Sequence, residues 1–250
     1  MIGVFLKIFN KGDLNFHLDH LDFWFDKFKD QNKYKIYLYN ENVEFKFLEK
    51  YSNISTIINR EEIIKNIECK NIAEDILNSK ILNDKWKGAA FALCIPFFYL
   101  QEEYIWGIDS DDLKLQGNIN YYLDRVEELI KQYNLPILSS DIYFSVPNNS
   151  WSFGITLAHK EKFKKILKEV LYTPVKEPGW GNNLDHMIDQ YFKRNTEIYY
   201  ISFTTPDKFE HCGKNGLHSW FDTTENMSAC DLYGQRIQYA NKNNRSILIK

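Results

Sequence analysis

The chain lacks most of the features that announce a function directly. Its four cysteines, Cys69, Cys94, Cys212 and Cys230, are scattered with no Cys-x-x-Cys pair, which argues against a zinc cluster and against a disulfide framework, so reduced thiols are expected. No apolar run is long enough to span a bilayer, and Lys7 interrupts Met1 to Phe9 too soon for a secretory signal. Neither sign of charge dominates: 31 lysines and arginines against 34 aspartates and glutamates leave −3. That balance excludes the basic footprint of a nucleic-acid-binding domain and a general polybasic membrane surface. No Walker or dinucleotide phosphate loop occurs, and no Gly-x-Ser-x-Gly elbow supports a serine hydrolase. No repeat, low-complexity tract or Pro/Gly/Ser linker divides the 250 residues, so one domain over 1–250 is the simplest expectation. The expected setting is cytoplasmic, with local lysine patches compatible with peripheral contact at the inner face of a membrane.

What the chain does have is a 44% hydrophobic content, ample for a core, and 16% aromatic residues. Most of those rings must be core, leaving a few to stack on a base or sugar. Ile2 to Phe9 reads as a buried strand ended by the turn Asn10-Lys11-Gly12-Asp13, and a helix follows with Leu18, Leu21, Phe25 and Phe28 on one face. Further strands are expected at Lys35 to Tyr39, ended by Asn40-Glu41-Asn42, and at Ile54 to Ile58. Between Glu61 and Leu82, Ile63, Ile64, Ile67, Ile76 and Leu77 suggest one or two helices. Lys85 to Leu93 looks like a helix whose small residues permit close packing on a sheet, and 119–133 carries an amphipathic pattern. Strands at Ile137 to Phe144 and Ser152 to Ala158 flank the turn Pro147-Asn148-Asn149 as in a hairpin. A helix through Phe163, Ile166, Leu167 and Val170, another over about Leu184 to Phe192, and an apolar run Tyr199 to Phe203 complete the pattern. The polar remainder must be disordered or fold over something. Strands separated by helices predict an α/β fold with a mostly parallel central sheet flanked by helices.

The most informative stretch is 104–113, Tyr-Ile-Trp-Gly-Ile-Asp-Ser-Asp-Asp-Leu, a buried strand that delivers Asp109, Asp111 and Asp112 together at its end. Three carboxylates this close repel one another unless a cation sits among them. Hard oxygen ligands suit Mg2+ or Mn2+, ions that commonly share their shell with substrate phosphates. Ligands of open α/β sheets bind beyond the carboxyl ends of strands, which is where these carboxylates fall.

The order of parts resembles the GT-A fold of nucleotide-sugar glycosyltransferases, a Rossmann-like domain in which an Asp-x-Asp motif ends a central strand. The closest local likeness is to the retaining glycogenin-like and lipooligosaccharide galactosyltransferase family. Its basic helix, apolar strand and Asp-x-Asp correspond to Lys85 or Lys87, the segment to Leu100, and Ile105-Trp106-Gly107-Ile108-Asp109-Ser110-Asp111. Its aromatic-Asn-Ala-Gly-aliphatic segment looks like Trp151-Ser152-Phe153-Gly154-Ile155, and its Asp-Gln-Asp looks like Asn183-Leu184-Asp185. Its terminal His-x-x-Gly-x-x-Lys-Pro-Trp resembles the run from His211 through Gly213 and Lys214 to His218 and Trp220. The first Asp of Asp-Gln-Asp is here Asn183, and the terminal spacing is not kept.

The resemblance implies a metal-dependent glycosyltransferase using a nucleotide-sugar donor and a glycan or lipid-linked saccharide acceptor. Residues 1–117 would form the donor-binding half, and 118–250 the acceptor-binding half with a C-terminal elaboration. In such chemistry a metal held by Asp111 and Asp109 stabilises the departing diphosphate. Asp109 touches metal or ribose, and Asp112 is either a ligand through water or a helix-starting residue. His211, ahead of His218, is the candidate third ligand, and Lys214 a phosphate partner. Lys87 is a candidate diphosphate or nucleotide contact. Asp185 would bind acceptor hydroxyls or act as general base, or else merely favour a helix N-terminus. Trp180 is an acceptor-stacking platform or a buried loop anchor. Two other readings stand beside this one. A haloacid-dehalogenase-type phosphatase would use Asp109 as nucleophile, although Leu113 sits where Thr or Val is usual. A non-catalytic carbohydrate-binding protein would keep the fold without turnover. The Lys-, Asn- and Ile-rich composition suits an AT-rich bacterial genome and hence a surface-polysaccharide pathway.

Overall fold

The computed structural model describes residues 1–10, 13–28, 33–108, 113–115, 137–139, 155–172, 200–202, 209–211 and 246–248, together with positions 184, 187, 188 and 191. Its first half alternates strand and helix as the hydrophobic periodicity requires. β1 (Ile2–Phe9) leads into α1 (Leu14–Phe28), and β2 (Tyr34–Glu41) into the short α2 (Phe45–Leu48) and a 3-10 turn at Glu49–Tyr51. β3 (Thr56–Asn59) is followed by α3 (Arg60–Ile63), α4 (Ile67–Asn78) and α5 (Lys87–Tyr99), which returns the chain to β4 (Tyr104–Ile108). Beyond it lie β5 (Leu113–Leu115), β6 (Ile137–Ser139), β7 (Ile155–His159), α6 (Lys160–Tyr172), β8 (Tyr200–Ser202), β9 (Phe209–His211) and β10 (Ser246–Leu248).

Eight of the strands form one sheet in the order β10-β8-β6-β7-β4-β1-β2-β3, while β5 and β9 pair separately. β7 runs antiparallel to both β4 and β6, and the other recorded pairings in the large sheet are parallel. The expected mostly parallel sheet is therefore present. β6 and β7 pair antiparallel, as expected of the two arms of a hairpin, and the turn expected at Pro147-Asn148-Asn149 lies outside the described residues.

β1 is apolar on both faces because both faces are covered. Val4, Leu6 and Ile8 point to a cluster with Leu21, Trp24, Phe25 and Phe28 of α1 and with Trp106 of β4. Phe5, on the opposite face, joins Tyr39, Ile72, Phe91, Ile95, Phe97 and Phe163 from α4, α5, α6 and β2. Alternation of side chains along a strand makes this division. Each large apolar side chain so buried contributes roughly 1.5–3 kcal/mol. Phe28 meets Trp106 edge-on at 5.7 Å and Phe97 meets Phe163 edge-on at 4.6 Å, the geometry that ring quadrupoles favour.

Two expectations need correction. Ile64, Ile67 and Leu77 are exposed rather than buried. Asn66 caps α4 by accepting from the Glu68 and Cys69 amides at 2.9 and 3.2 Å, and the helix phase it sets turns Cys69, Ile72 and Ile76 inward instead. The helix expected to stop near Leu93 continues to Tyr99 through Pro96. Burial of Cys94, Ile95, Phe97 and Phe98 outweighs the hydrogen bond that proline removes. The helix expected over 119–133 lies outside the described residues. Positions 184, 187, 188 and 191 are helical, and Leu184, Met187 and Ile188 are buried, the spacing of one helix face.

At the amino ends of the strands, Glu102 is buried and accepts from the Tyr37 hydroxyl at 3.0 Å and pairs with Lys35 at 3.2 Å. A Cβ at Gly3 would meet Glu102 Oε2 at 3.1 Å and Ile105 Cδ1 at 3.3 Å. Because both neighbours are held, Gly3→Ala is expected to cost about 1–2 kcal/mol in urea unfolding, and unchanged stability would show that Glu102 can move. Burial pushes the Cys69 thiol up to about 12 and raises Cys94 further. A Cys212→Ser/Cys230→Ser variant should therefore react with a thiol reagent at pH 8 only on unfolding, since thiolate is the reactive form.

Candidate active site

The chain visits β1, β2 and β3 outward in one direction, then crosses back through α4 and α5 to place β4 on the other flank of β1. The reversal falls between β1 and β4, and in such sheets ligands ordinarily bind in a crevice beyond the carboxyl ends of the strands at this point. β4 is anchored there by Ile105, Trp106 and Ile108, all essentially inaccessible. Asp109 is the next residue in the chain. Asp109, Asp111 and Asp112 themselves lie outside the described residues, as do Trp180, Asp185, Lys214 and His218.

The described chain resumes at β5, immediately after Asp112. β5 pairs antiparallel with β9 in the register Leu113 with His211, Lys114 with Glu210 and Leu115 with Phe209. Cα atoms of residues so paired lie roughly 4.5–5.5 Å apart. A histidine about a hundred residues away in sequence is thus brought beside the residue that follows the acidic cluster. β5 also lies against α1, so the ribbon sits on the same layer as the first crossover helix. Among the described residues no group of His, Cys, Asp and Glu forms a metal cluster.

A polar rim that sequence reading treated only as a turn occupies the carboxyl ends of β2 and β3. Asn40 closes the turn after β2: its side chain donates to the Val43 carbonyl at 3.0 Å and accepts from the Val43 amide at 2.9 Å. The Asn40 side-chain Nδ2 also donates to Asn59 Oδ1 at 3.1 Å, tying the two strand ends together. Asn42 takes a positive φ of 66°, a conformation asparagine tolerates better than most residues. Arg60 pairs with Glu41 at 3.6 Å and rests over the Phe91 ring at 5.0 Å. The Tyr39 hydroxyl donates to Glu41 at 3.3 Å. Burial first, and the Glu41 carboxylate second, raise that hydroxyl well above its ordinary range, so it remains a donor. Hydrogen-bonding groups beside an aromatic wall can read a planar heterocycle or a ribose. The one cue in the sequence was the dense run of Asn, Glu and Arg at two strand ends.

Lys87 begins α5, which runs opposite to the strands and so starts at their carboxyl edge. Its ammonium donates to the Leu77 carbonyl at the end of α4 at 2.7 Å and pairs with Asp84 at 2.7 Å. A cation at that position satisfies orphan carbonyl groups of a helix end. Any diphosphate role requires exchange of these partners. The next residue, Gly88, has nothing within 4 Å of where a Cβ would be, leaving space beside the helix start.

No protein-family model and no curated protein sequence matches the chain. Solved structures do. An active-site mutant of LgtC aligns over 94% of this chain and 96% of its own, with a TM-score of 0.52 at 9% identity. The apo form of glycosyltransferase GlyE from Streptococcus pneumoniae TIGR4 aligns over 95% of this chain with a TM-score of 0.51 at 11% identity. S. aureus TarS 1-349 aligns over 76% of this chain at 13% identity, with a TM-score of 0.42. The chain spans 55% of that TarS fragment and 63% of GlyE. LgtC and GlyE are GT-A type glycosyltransferases, and the fold of this chain is GT-A.

Lys87→Met separates the structural duty of that ammonium from a ligand duty. Loss of the Leu77 and Asp84 contacts is expected to lower unfolding free energy by about 1 kcal/mol. Full stability with weakened nucleotide binding would instead assign the charge to a ligand.

Proposed function

We propose, taking the GT-A fold as premise, that this protein is a divalent-metal-dependent glycosyltransferase moving a sugar from a nucleoside-diphosphate donor to a glycan or lipid-linked saccharide. The reading draws most support from the register of β5 with β9, which pairs His211 with the residue after Asp112. In this reading two carboxylates and an imidazole come from segments far apart in sequence, and an oxygen-rich set with one nitrogen suits Mn2+ or Mg2+. Glucosyl-3-phosphoglycerate synthase from Mycobacterium tuberculosis has been crystallised with Mn2+ and uridine-diphosphate-glucose. At a TM-score of 0.40, that likeness lends no weight here.

In this reading Asp111 and Asp109 supply carboxylate oxygens, and His211 a neutral imidazole nitrogen, to the cation. When bound, the cation supplies Lewis acidity to the departing diphosphate. Lys214 pairs with the diphosphate, as does Lys87 if it exchanges its partners. Asn59, Arg60 and Glu41 at the ends of β2 and β3 hydrogen bond to the nucleoside, with Phe91 and Tyr39 as the wall behind them. Asp185 holds the acceptor hydroxyl and takes its proton where transfer inverts configuration, while Trp180 stacks on the acceptor ring. Residues 1–117 form the donor half and 118–250 the acceptor half. Bacterial surface polysaccharide is the acceptor pathway that the composition favours. No helix among the described residues is long and apolar enough to cross a membrane. The phosphatase and the non-catalytic carbohydrate-binding readings gain no observation from the fold.

Hydrolysis or transfer from common nucleotide sugars should require added Mn2+ or Mg2+ and stop with chelator. Asp111→Ala should lower turnover roughly 100-fold or more with the melting temperature kept. Undiminished turnover by that variant in the presence of chelator would sink the metal mechanism. Saccharide binding by calorimetry with no nucleotide effect would favour the carbohydrate-binding reading.

A further inference from the structure

The large sheet ends at β3, which has β2 on one side and, among the described residues, no strand on the other. Backbone N–H and C=O groups on the free side of an edge strand are a template for another strand, and natural edges are guarded by charge, proline, a bulge or a cover. Thr56, Ile57, Ile58 and Asn59 include no charged residue and no proline. All four keep unbroken register with Tyr37 to Asn40, so no bulge turns the edge away. Thr56 and Asn59 are exposed, which leaves brevity as the strand's one guard.

The crossover that leads into this edge also exposes apolar side chains. Phe45 is 57% exposed, Ile54 46% and Phe47 37%. The Ile54 and Ser55 amides both donate to the Tyr51 carbonyl, at 3.1 and 3.0 Å, and α2 packs on the same 3-10 turn. The crossover is thereby folded tightly onto the entry to β3, and open backbone adjoins open apolar surface.

The charges narrow the partner. From Glu41 to Arg60 there are three acidic and three basic residues, and Lys46 pairs with Glu44, Lys50 with Asp22, and Arg60 with Glu41. A surface without net charge selects neither an acidic nor a basic peptide and gives no attraction to anionic lipid. Against its own copy it meets no net repulsion. A strand edge is self-complementary in the same way: under a twofold axis two copies of one strand pair antiparallel, and the contact closes at two.

We propose that β3 and the crossover before it form the twofold interface of a homodimer, in which the β3 strands of two copies pair antiparallel and Phe45, Phe47 and Ile54 of each copy are covered by the other. The inference is independent of the donor-site reading. A four-residue ladder with three apolar side chains from each copy is a small interface, so dissociation at roughly 1–100 µM is expected.

The test is sedimentation velocity of the full chain across that range, for wild type, Thr56→Lys, Phe45→Ser and, as a control on another exposed apolar residue, Ile67→Lys. Wild type and Ile67→Lys should pass from monomer to dimer with concentration, while Thr56→Lys, which adds the missing edge charge, and Phe45→Ser should associate at least tenfold more weakly with the melting temperature kept. Should Thr56→Lys not fold, Ile54→Lys carries the same comparison. Hydrogen exchange locates the contact: amides of 56–59 should gain protection at high concentration in wild type and not in Thr56→Lys. A monomer throughout the range would overturn the proposal, as would a dimer that neither variant weakens. A monomer whose 56–59 amides gain protection only with phosphatidylcholine vesicles would overturn it in favour of a lipid surface.

Discussion

The backbone ladder of β1 is the constraint on which the rest of the structure depends. It is bonded on one side to β2 along its whole length and on the other to β4. With apolar clusters on both of its faces, slipping that strand by one residue would exchange its two buried sets, so register is strongly specified. Placing β4 beside β1 reverses the strand order, and ligands of such sheets ordinarily bind in the crevice at that point. The sequence puts the carboxylates of 109–112 directly after β4, and that adjacency sets them apart from acidic residues of an ordinary exposed turn, which water and salt screen.

Packing on the two faces is unequal in kind. The α1 face is aromatic, with Trp24, Phe28 and Trp106 interlocked, and α1 is joined over it by Leu48 of α2 and Tyr51 of the 3-10 turn. The other face needs α4, α5 and α6, and Glu68 on α4 is clasped by Lys164 on α6. That contact lowers the carboxyl of Glu68 below its usual range. α5 approaches the sheet closely through Ala90 and Ala92, and this brings its first turn to the crevice with the small residues Gly88 and Ala89 leading. Tight packing and an open ligand edge thus follow from the same run of small side chains.

The crevice joins two electrostatic regimes. On the β2 and β3 side, Asn40, Glu41, Asn59 and Arg60 satisfy one another and present polar groups to solvent. On the β4 side, the sequence places three acidic residues in the four positions that follow the strand. A nucleoside diphosphate has the complementary division: a neutral, planar, hydrogen-bonding base at one end and concentrated negative charge needing a cation at the other. The proposed donor draws on that division, since a free sugar has no comparable polarity.

Much of the fold was legible because hydrophobic period reports burial directly. β1 was located to the residue, α1 and α6 followed from apolar residues every three or four positions, and the helical positions near 184–191 from a loop whose end could cap a helix. Errors arose where burial was decided by a cap or a distant partner. Asn66 set the phase of α4 against a plausible run of isoleucines, and distant packing carried α5 through Pro96. The acidic end of β4 and the candidacy of His211 could be read from residue type and order. The pairing of His211 with Leu113 could not, because a ladder between segments about a hundred residues apart leaves no local pattern. Asn40, Glu41, Asn59 and Arg60 looked only like turn and helix-start residues. By itself the sequence determined which segments bury and which residue types can carry the chemistry, since both are properties of side chains in order. Only the tertiary structure decided which strand ends adjoin, and therefore which charges meet, because adjacency in a sheet comes from backbone pairing between segments that the chain holds far apart.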